Sequence, residues 1–128
     1  MTREATCSCG NLRVLCTGEP ELVSLCHCIA CQKRTSAPYG VAAFFLKQHV
    51  EVSGSYKNYR RSSDAGYDLV FHFCARCGST VFWEPLRKPD MFAIGVGSFG
   101  DPGFPKPRKE VHTDCRHAWV KPLDPMST

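Results

Sequence analysis

Seven of the nine cysteines in this 128-residue chain fall into three tight clusters: Cys7-Ser8-Cys9-Gly10, Cys26-His27-Cys28-Ile29-Ala30-Cys31 and Cys74-Ala75-Arg76-Cys77-Gly78. Thiolates at these spacings chelate metal. The pairs at 7 and 9 and at 74 and 77 each form a dyad on a tight turn. Gly10 and Gly78, directly after them, supply the positive-φ freedom that lets backbone amides turn back toward the sulfurs. Four thiolates from two distant turns make the closed tetrahedral set of a structural zinc site. The rival readings are a redox-active Cys-x-x-Cys and unrelated surface thiols. A redox motif opens a helix in a βαβ context, whereas Cys74 ends one strand-like run and precedes another, so zinc is preferred.

The middle cluster has a different stoichiometry. Cys26, Cys28 and Cys31 place three sulfurs within six residues and no fourth beside them. Three protein ligands and an open position are the arrangement of a catalytic or ligand-binding zinc. Three thiolates leave the ion with a net charge of −1 and a vacancy, and a thiol entering that vacancy would give up its proton. The competing reading is a second closed site whose fourth ligand is His27, His72, His112 or Cys115. His27 is poorly placed for that, because both its neighbours are ligands and its ring must point elsewhere.

The remaining side chains are read more plainly. Cys16 alternates with Leu12 and Val14, which suits a small buried hydrophobe. Cys115, between Asp114 and Arg116, reads as a surface thiol. His72 reads as a packed or half-exposed strand residue, His112 as a structural histidine, and Trp83 and Trp119 as core.

Strands must position these groups. Asn11 to Cys16 and Tyr67 to Phe73 alternate with a period of two. Val41 to Leu46, Val50 to Val52, Thr80 to Trp83 and Met91 to Val96 are short apolar runs bounded by turn residues. Only Cys28 to Thr35 has helical character, as one or two turns after the metal cluster. The 10 Gly and 9 Pro are scattered between these runs, which suits a sheet with many turns. The longest irregular stretch runs from Gly97 to Arg108. No repeat or low-complexity tract divides the chain, so it is expected to be one mostly β domain with its core at about residues 5–124.

Composition bounds the rest. With 43% hydrophobic residues, the chain can build one core and not two. A net charge of +4 suits an anionic small ligand and is too low to make nucleic acid the default partner. The run Tyr56-Lys57-Asn58-Tyr59-Arg60-Arg61 could stack bases, but it lies beside Asp64 and Asp68, and a sheet edge explains it equally. No apolar run approaches the roughly 18 residues that span a bilayer. The N-terminus has no signal-peptide core, and the odd cysteine count rules out complete disulfide pairing. A reducing cytoplasm is therefore expected.

Taken together, the order Cys7-x-Cys9-Gly10, Cys26-His27-Cys28-x-x-Cys31 and Cys74-x-x-Cys77-Gly78 resembles the glutathione-dependent formaldehyde-activating enzymes and their centromere-protein-V-like relatives. Lys33 to Ser36 after Cys31, and the late His112 with Trp119, extend the likeness from about Cys7 to about Asp124. The resemblance implies a zinc-stapled β-tent fold of short antiparallel sheets and two zinc ions per chain. Cys7, Cys9, Cys74 and Cys77 match the structural ligands; Cys26, Cys28 and Cys31 match the catalytic ones. It implies a carbon–sulfur lyase-type reaction between formaldehyde and glutathione or a similar thiol. Glutathione carries two carboxylates, so Lys33 and Arg34 are expected to contact it, and Ser36 and Tyr39 could donate hydrogen bonds. The alternative is a zinc-stabilised binding module without catalysis. Self-association is left open.

Overall fold

Alternation of buried and exposed side chains builds two sheets of unequal size. The computed structural model describes residues 1–63 and 65–123. In chain order these form β1 (Thr2–Thr6), β2 (Arg13–Thr17), β3 (Leu22–Cys26), α1 (Ile29–Thr35), β4 (Gly40–Leu46), β5 (Val50–Ser53), β6 (Tyr56–Ser62), β7 (Asp68–Cys74), β8 (Thr80–Pro85), β9 (Met91–Gly95) and β10 (Lys109–Val111). Asp64, and the expected end of the core at Asp124, lie outside the described residues.

The small sheet has the order β1-β2-β5, and the large one β10-β3-β4-β9-β8-β7-β6. The mostly β expectation holds. Its pairs are antiparallel except β10 with β3, which run parallel. A parallel pair needs a long return connection, and here the chain comes back through the glycine- and proline-rich segment that follows β9, opening with a 3-10 turn at Val96–Phe99.

Each face of the large sheet has its own task. Val23, Ala43, Phe45, Phe82 and Ile94 point toward the small sheet, where they bury Ala5, Leu12, Val14 and Cys16. Leu12, Val14 and Cys16 are all fully buried, as their alternation requires. Burying each large apolar side chain contributes about 1.5–3 kcal/mol, so this interlayer seam carries most of the fold's hydrophobic stabilisation. On the opposite face, Leu69, Phe71, Trp83 and Ala93 form a second, smaller cluster with Phe44 and Tyr67 against it. α1 and the residues after β10 cross that second face. The two cysteine sets therefore sit on opposite sides of one sheet.

Several elements depart from the pattern expected of them. β6 is almost wholly exposed and is the edge strand of the large sheet. Its residues alternate in direction but not in polarity, and the sheet-edge reading of the run Tyr56 to Arg61 is the one the fold bears out. β1 is equally polar. Trp119, expected in the core, is 73% exposed. The chain beyond β10 runs along the outer side of α1 instead of re-entering a layer, so its ring lies over a shallow groove with Ile29, Pro38 and His117.

Candidate metal centres and the adjoining pocket

Cys7 and Cys9 follow β1, and Cys74 and Cys77 close β7. Their four sulfurs all lie within 4.8 Å of one another, with Cys7 to Cys9 at 3.6 Å and Cys9 to Cys74 at 3.7 Å. A tetrahedron with zinc–sulfur bonds of about 2.3 Å has edges of about 3.8 Å. The donor set therefore fits zinc in both chemistry and size. Gly10 and Gly78 have φ of 81° and 80°, the left-handed turns expected of them. Those turns aim amides at sulfur: Leu12 N–H donates to Cys7 Sγ at 3.2 Å, and Arg76 and Cys77 N–H to Cys74 Sγ at 3.3 and 3.4 Å. Such bonds favour thiolate over thiol. The Ser79 hydroxyl and amide beside Cys77 pull its thiol down to about 5. Because Cys7 and Cys74 are buried in the interlayer core, a metal here would pin the small sheet to the large one.

Cys26 ends β3 on the opposite face of the sheet, Cys28 caps α1, and Cys31 lies in its first turn. These three sulfurs also lie within 4.8 Å of one another. Cys28 accepts from the Cys31 amide at 3.3 Å, a side-chain cap that ties the helix start to the cluster. The crowding polarises the trio. Hydrogen bonding from Cys26, aided by Cys28 and the Arg34 guanidinium, draws the Cys31 thiol down to about 5. The reciprocal bond from Cys31, with burial, pushes Cys26 far up. Three sulfur donors that cannot all ionise alone suit a soft cation. Among the described residues no fourth ligand joins them at that distance, so neither His72, His112 nor Cys115 closes the set here.

His27 explains how the loop between Cys26 and Cys28 is held. Its ring is fully buried and Nε2 donates to the Glu110 carboxylate at 2.7 Å. Arg116 Nη2 reaches the same oxygen at 3.0 Å, and the Leu123 amide reaches the other at 3.3 Å. Gln32 adds bonds to the carbonyls of His27 and Cys115. The segment after β10 is thus latched to the cysteine loop.

That segment walls a cavity of about 570 Å³ in front of Cys26, Cys28 and Cys31. Its floor is Phe44, Leu69, Phe71 and Trp83, and its charged lining is Lys33, Arg34 and Arg61 with one carboxylate, Asp114. The Arg34 guanidinium lies 4.3 Å from the Trp83 ring centroid. Glycine at position 40 makes room for it, since a Cβ there would stand 2.8 Å from Arg34 Nη2.

The expected ligand contacts divide. Lys33 and Arg34 reach this cavity, whereas Ser36, the left-handed C-cap of α1, lies in the groove on the helix's other side. Tyr39 packs edge-on against His27. Cys115 is half-buried and lines the cavity, in place of the surface thiol expected. His112 also lines it, exposed and held at φ 54°. His72 is buried and bonded to Glu84 at 2.7 Å, as a packed strand residue. Arg61 and Tyr67 line the cavity without any motif announcing them; only the strand register places them there.

Two comparisons match these features. Residues 2–115 fit the family described as glutathione-dependent formaldehyde-activating enzyme. A crystal structure of a Rhodobacter sphaeroides protein shares the fold, with a TM-score of 0.61 and 20% identity, covering 87% of this chain and 100% of that one. Among curated proteins no match is found.

Proposed function

Because the chain belongs to the glutathione-dependent formaldehyde-activating enzyme family, we propose that Cys26, Cys28 and Cys31 hold a catalytic zinc at which a glutathione-type thiol adds to formaldehyde. Family membership supports that role in general; the lyase-type chemistry and the residue roles are our reading. The observation that carries it is a three-sulfur cluster lining a cavity whose charged residues are three cations to one carboxylate. Cys7, Cys9, Cys74 and Cys77 would hold a second, structural zinc, and the whole chain forms one zinc domain. We place the protein in a reducing cytoplasm, where thiols stay available for metal. No helix among the described residues is long and apolar enough to cross a membrane.

The reaction asks little of a catalyst. The thiol loses its proton, a sulfur–carbon bond forms at the carbonyl carbon, and the carbonyl oxygen takes up a proton. A bound zinc would supply a stabilised thiolate or polarise the aldehyde oxygen. The protein's own contribution is placement, which converts a bimolecular encounter into a held pair. Phe44, Phe71 and Trp83 exclude water from the floor. Lys33 and Arg34, in the last turn of α1, face an anionic ligand. Glu110, through His27, keeps the Cys26–Cys28 loop in one conformation. Ser36 would contribute only to a ligand long enough to pass around the helix.

The direct test is formation of S-hydroxymethylglutathione from formaldehyde and glutathione, followed by NMR exchange with zinc-loaded protein. Wild type should accelerate it, and Cys28→Ser should return it to the uncatalysed rate. Unchanged acceleration in Cys28→Ser would overturn the assignment. Absence of acceleration in a wild type carrying two firmly held zincs would favour the non-catalytic binding module.

A further inference from the structure

The edge strand of the large sheet delivers a cation to the cavity. Arg61 on β6 stands opposite Leu69, and Leu69 shares its face with Phe71 and, across β8, Trp83. The Arg61 guanidinium lies 5.1 Å from the Phe71 ring centroid. Arg34, arriving from α1 on the other side, lies 5.6 Å from the same ring. Two like charges on one ring repel, and beyond the Cys31 thiol beside Arg34 no acidic group among the described residues pairs with either. Arg3, Arg13, Arg60 and Arg116 each have a carboxylate partner. Among the described residues, Arg34 and Arg61 have none, and Arg34 Nε is buried without a hydrogen bond. With their carbons over Phe71 and Trp83, the guanidiniums keep N–H groups for a ligand, although Arg61 Nη1 also donates to the Ser62 carbonyl at 3.4 Å. A planar pair of donors of this kind matches a carboxylate.

We propose that Arg34 and Arg61 form a carboxylate subsite on the Phe71–Trp83 floor, and that Arg61 makes the site select thiols that carry a carboxylate. This rests on reading the cavity as the thiol site. Arg61 acts on binding alone, since it touches the far part of the ligand and not the reacting sulfur. Its neighbour Arg60, paired with Asp68, serves as the control.

The test is calorimetric titration of zinc-loaded protein with S-methylglutathione and with its dimethyl ester, neither of which can react. Wild type should bind the diacid at least tenfold more tightly than the ester. Arg61→Gln should lose about tenfold or more in affinity for the diacid and stay within about twofold for the ester, with an unchanged melting temperature. Arg61→Lys should recover part of the loss, because it restores charge without the fork, and Arg60→Gln should match wild type. Equal binding of acid and ester by wild type, no binding of the diacid, or equal loss of both ligands in Arg61→Gln would each overturn the proposal. The two readings separate cleanly. Discrimination by Arg61 without any adduct formation would sink the proposed reaction and leave the subsite standing. Normal adduct formation with an unaltered glutathione KM in Arg61→Gln would do the reverse.

Discussion

Replacing one sulfur in each cluster should have opposite consequences for the fold. Cys77→Ser removes a ligand from the set that joins the small sheet to the large one. Structural zinc contributes about 10–16 kcal/mol of apparent binding free energy. A quarter of that, about 2.5–4 kcal/mol, is a large share of the roughly 5–15 kcal/mol that a domain has in total. The remaining three sulfurs would then hold zinc more weakly by a factor of about a hundred or more, and a chelator should strip it. Cys28→Ser is a gentler change for a structural reason. Cys28 caps α1 by accepting from the Cys31 amide, and serine is among the preferred caps, so the helix start survives. α1 has seven residues and none is fully buried. Its loss of a metal anchor should leave the interlayer core intact. The assay is zinc stoichiometry by plasma emission together with thermal unfolding, each with and without a chelator. Cys28→Ser should lose about one zinc and stay within about 1 kcal/mol of wild type, while Cys77→Ser should melt far earlier and collapse on chelation. Cys28→Ala, which also removes the cap, should cost about 1 kcal/mol more than Cys28→Ser. If both serine variants lost both metals and the fold together, the division of labour between the clusters would be wrong.

Three further perturbations probe the frame around the site. Glu110→Ala would leave His27 and Arg116 without the carboxylate they share, at a cost of about 3 kcal/mol for breaking a buried pair; urea unfolding should show it, and Arg116→Ala should cost less. Gly54→Ala should destabilise by about 3 kcal/mol or more, since φ is +98° and the new Cβ would stand 1.9 Å from the Asn11 carbonyl oxygen; a soluble variant with wild-type stability would show that the β5–β6 corner yields easily. Burial pushes the Cys16 thiol up to about 12 from 9.0. The folded state therefore holds that proton where the unfolded chain releases it, and the resulting stability is intact below pH 9 and lost as pH rises toward 12. Stability curves across that window should fall less steeply for Cys16→Val than for wild type.

The cysteine spacing by itself determined the two sulfur clusters that could hold metal and their different numbers of donors, because chelation by short turns is a local property. Gly10 and Gly78 were legible for the same reason: a left-handed turn after the second cysteine is written in two adjacent residues. The alternation of Leu12, Val14 and Cys16 marked a core face, and alternation in two segments with apolar runs in four marked six of the strands. What the sequence could not announce depends on contacts between distant segments. Arg61 sits in a run whose polarity resembles a solvated edge, and only the register of β6 on β7 and β8 brings it over Phe71. Trp119 has the composition of a core residue, yet the path taken by the chain after β10 leaves it outside. His112, Cys115 and Glu110 reach the site through a parallel pairing with β3 across more than eighty residues. Local chemistry fixes which atoms can bind a metal, whereas the side of a sheet on which they emerge, and what faces them, is settled only when non-local strands choose their partners.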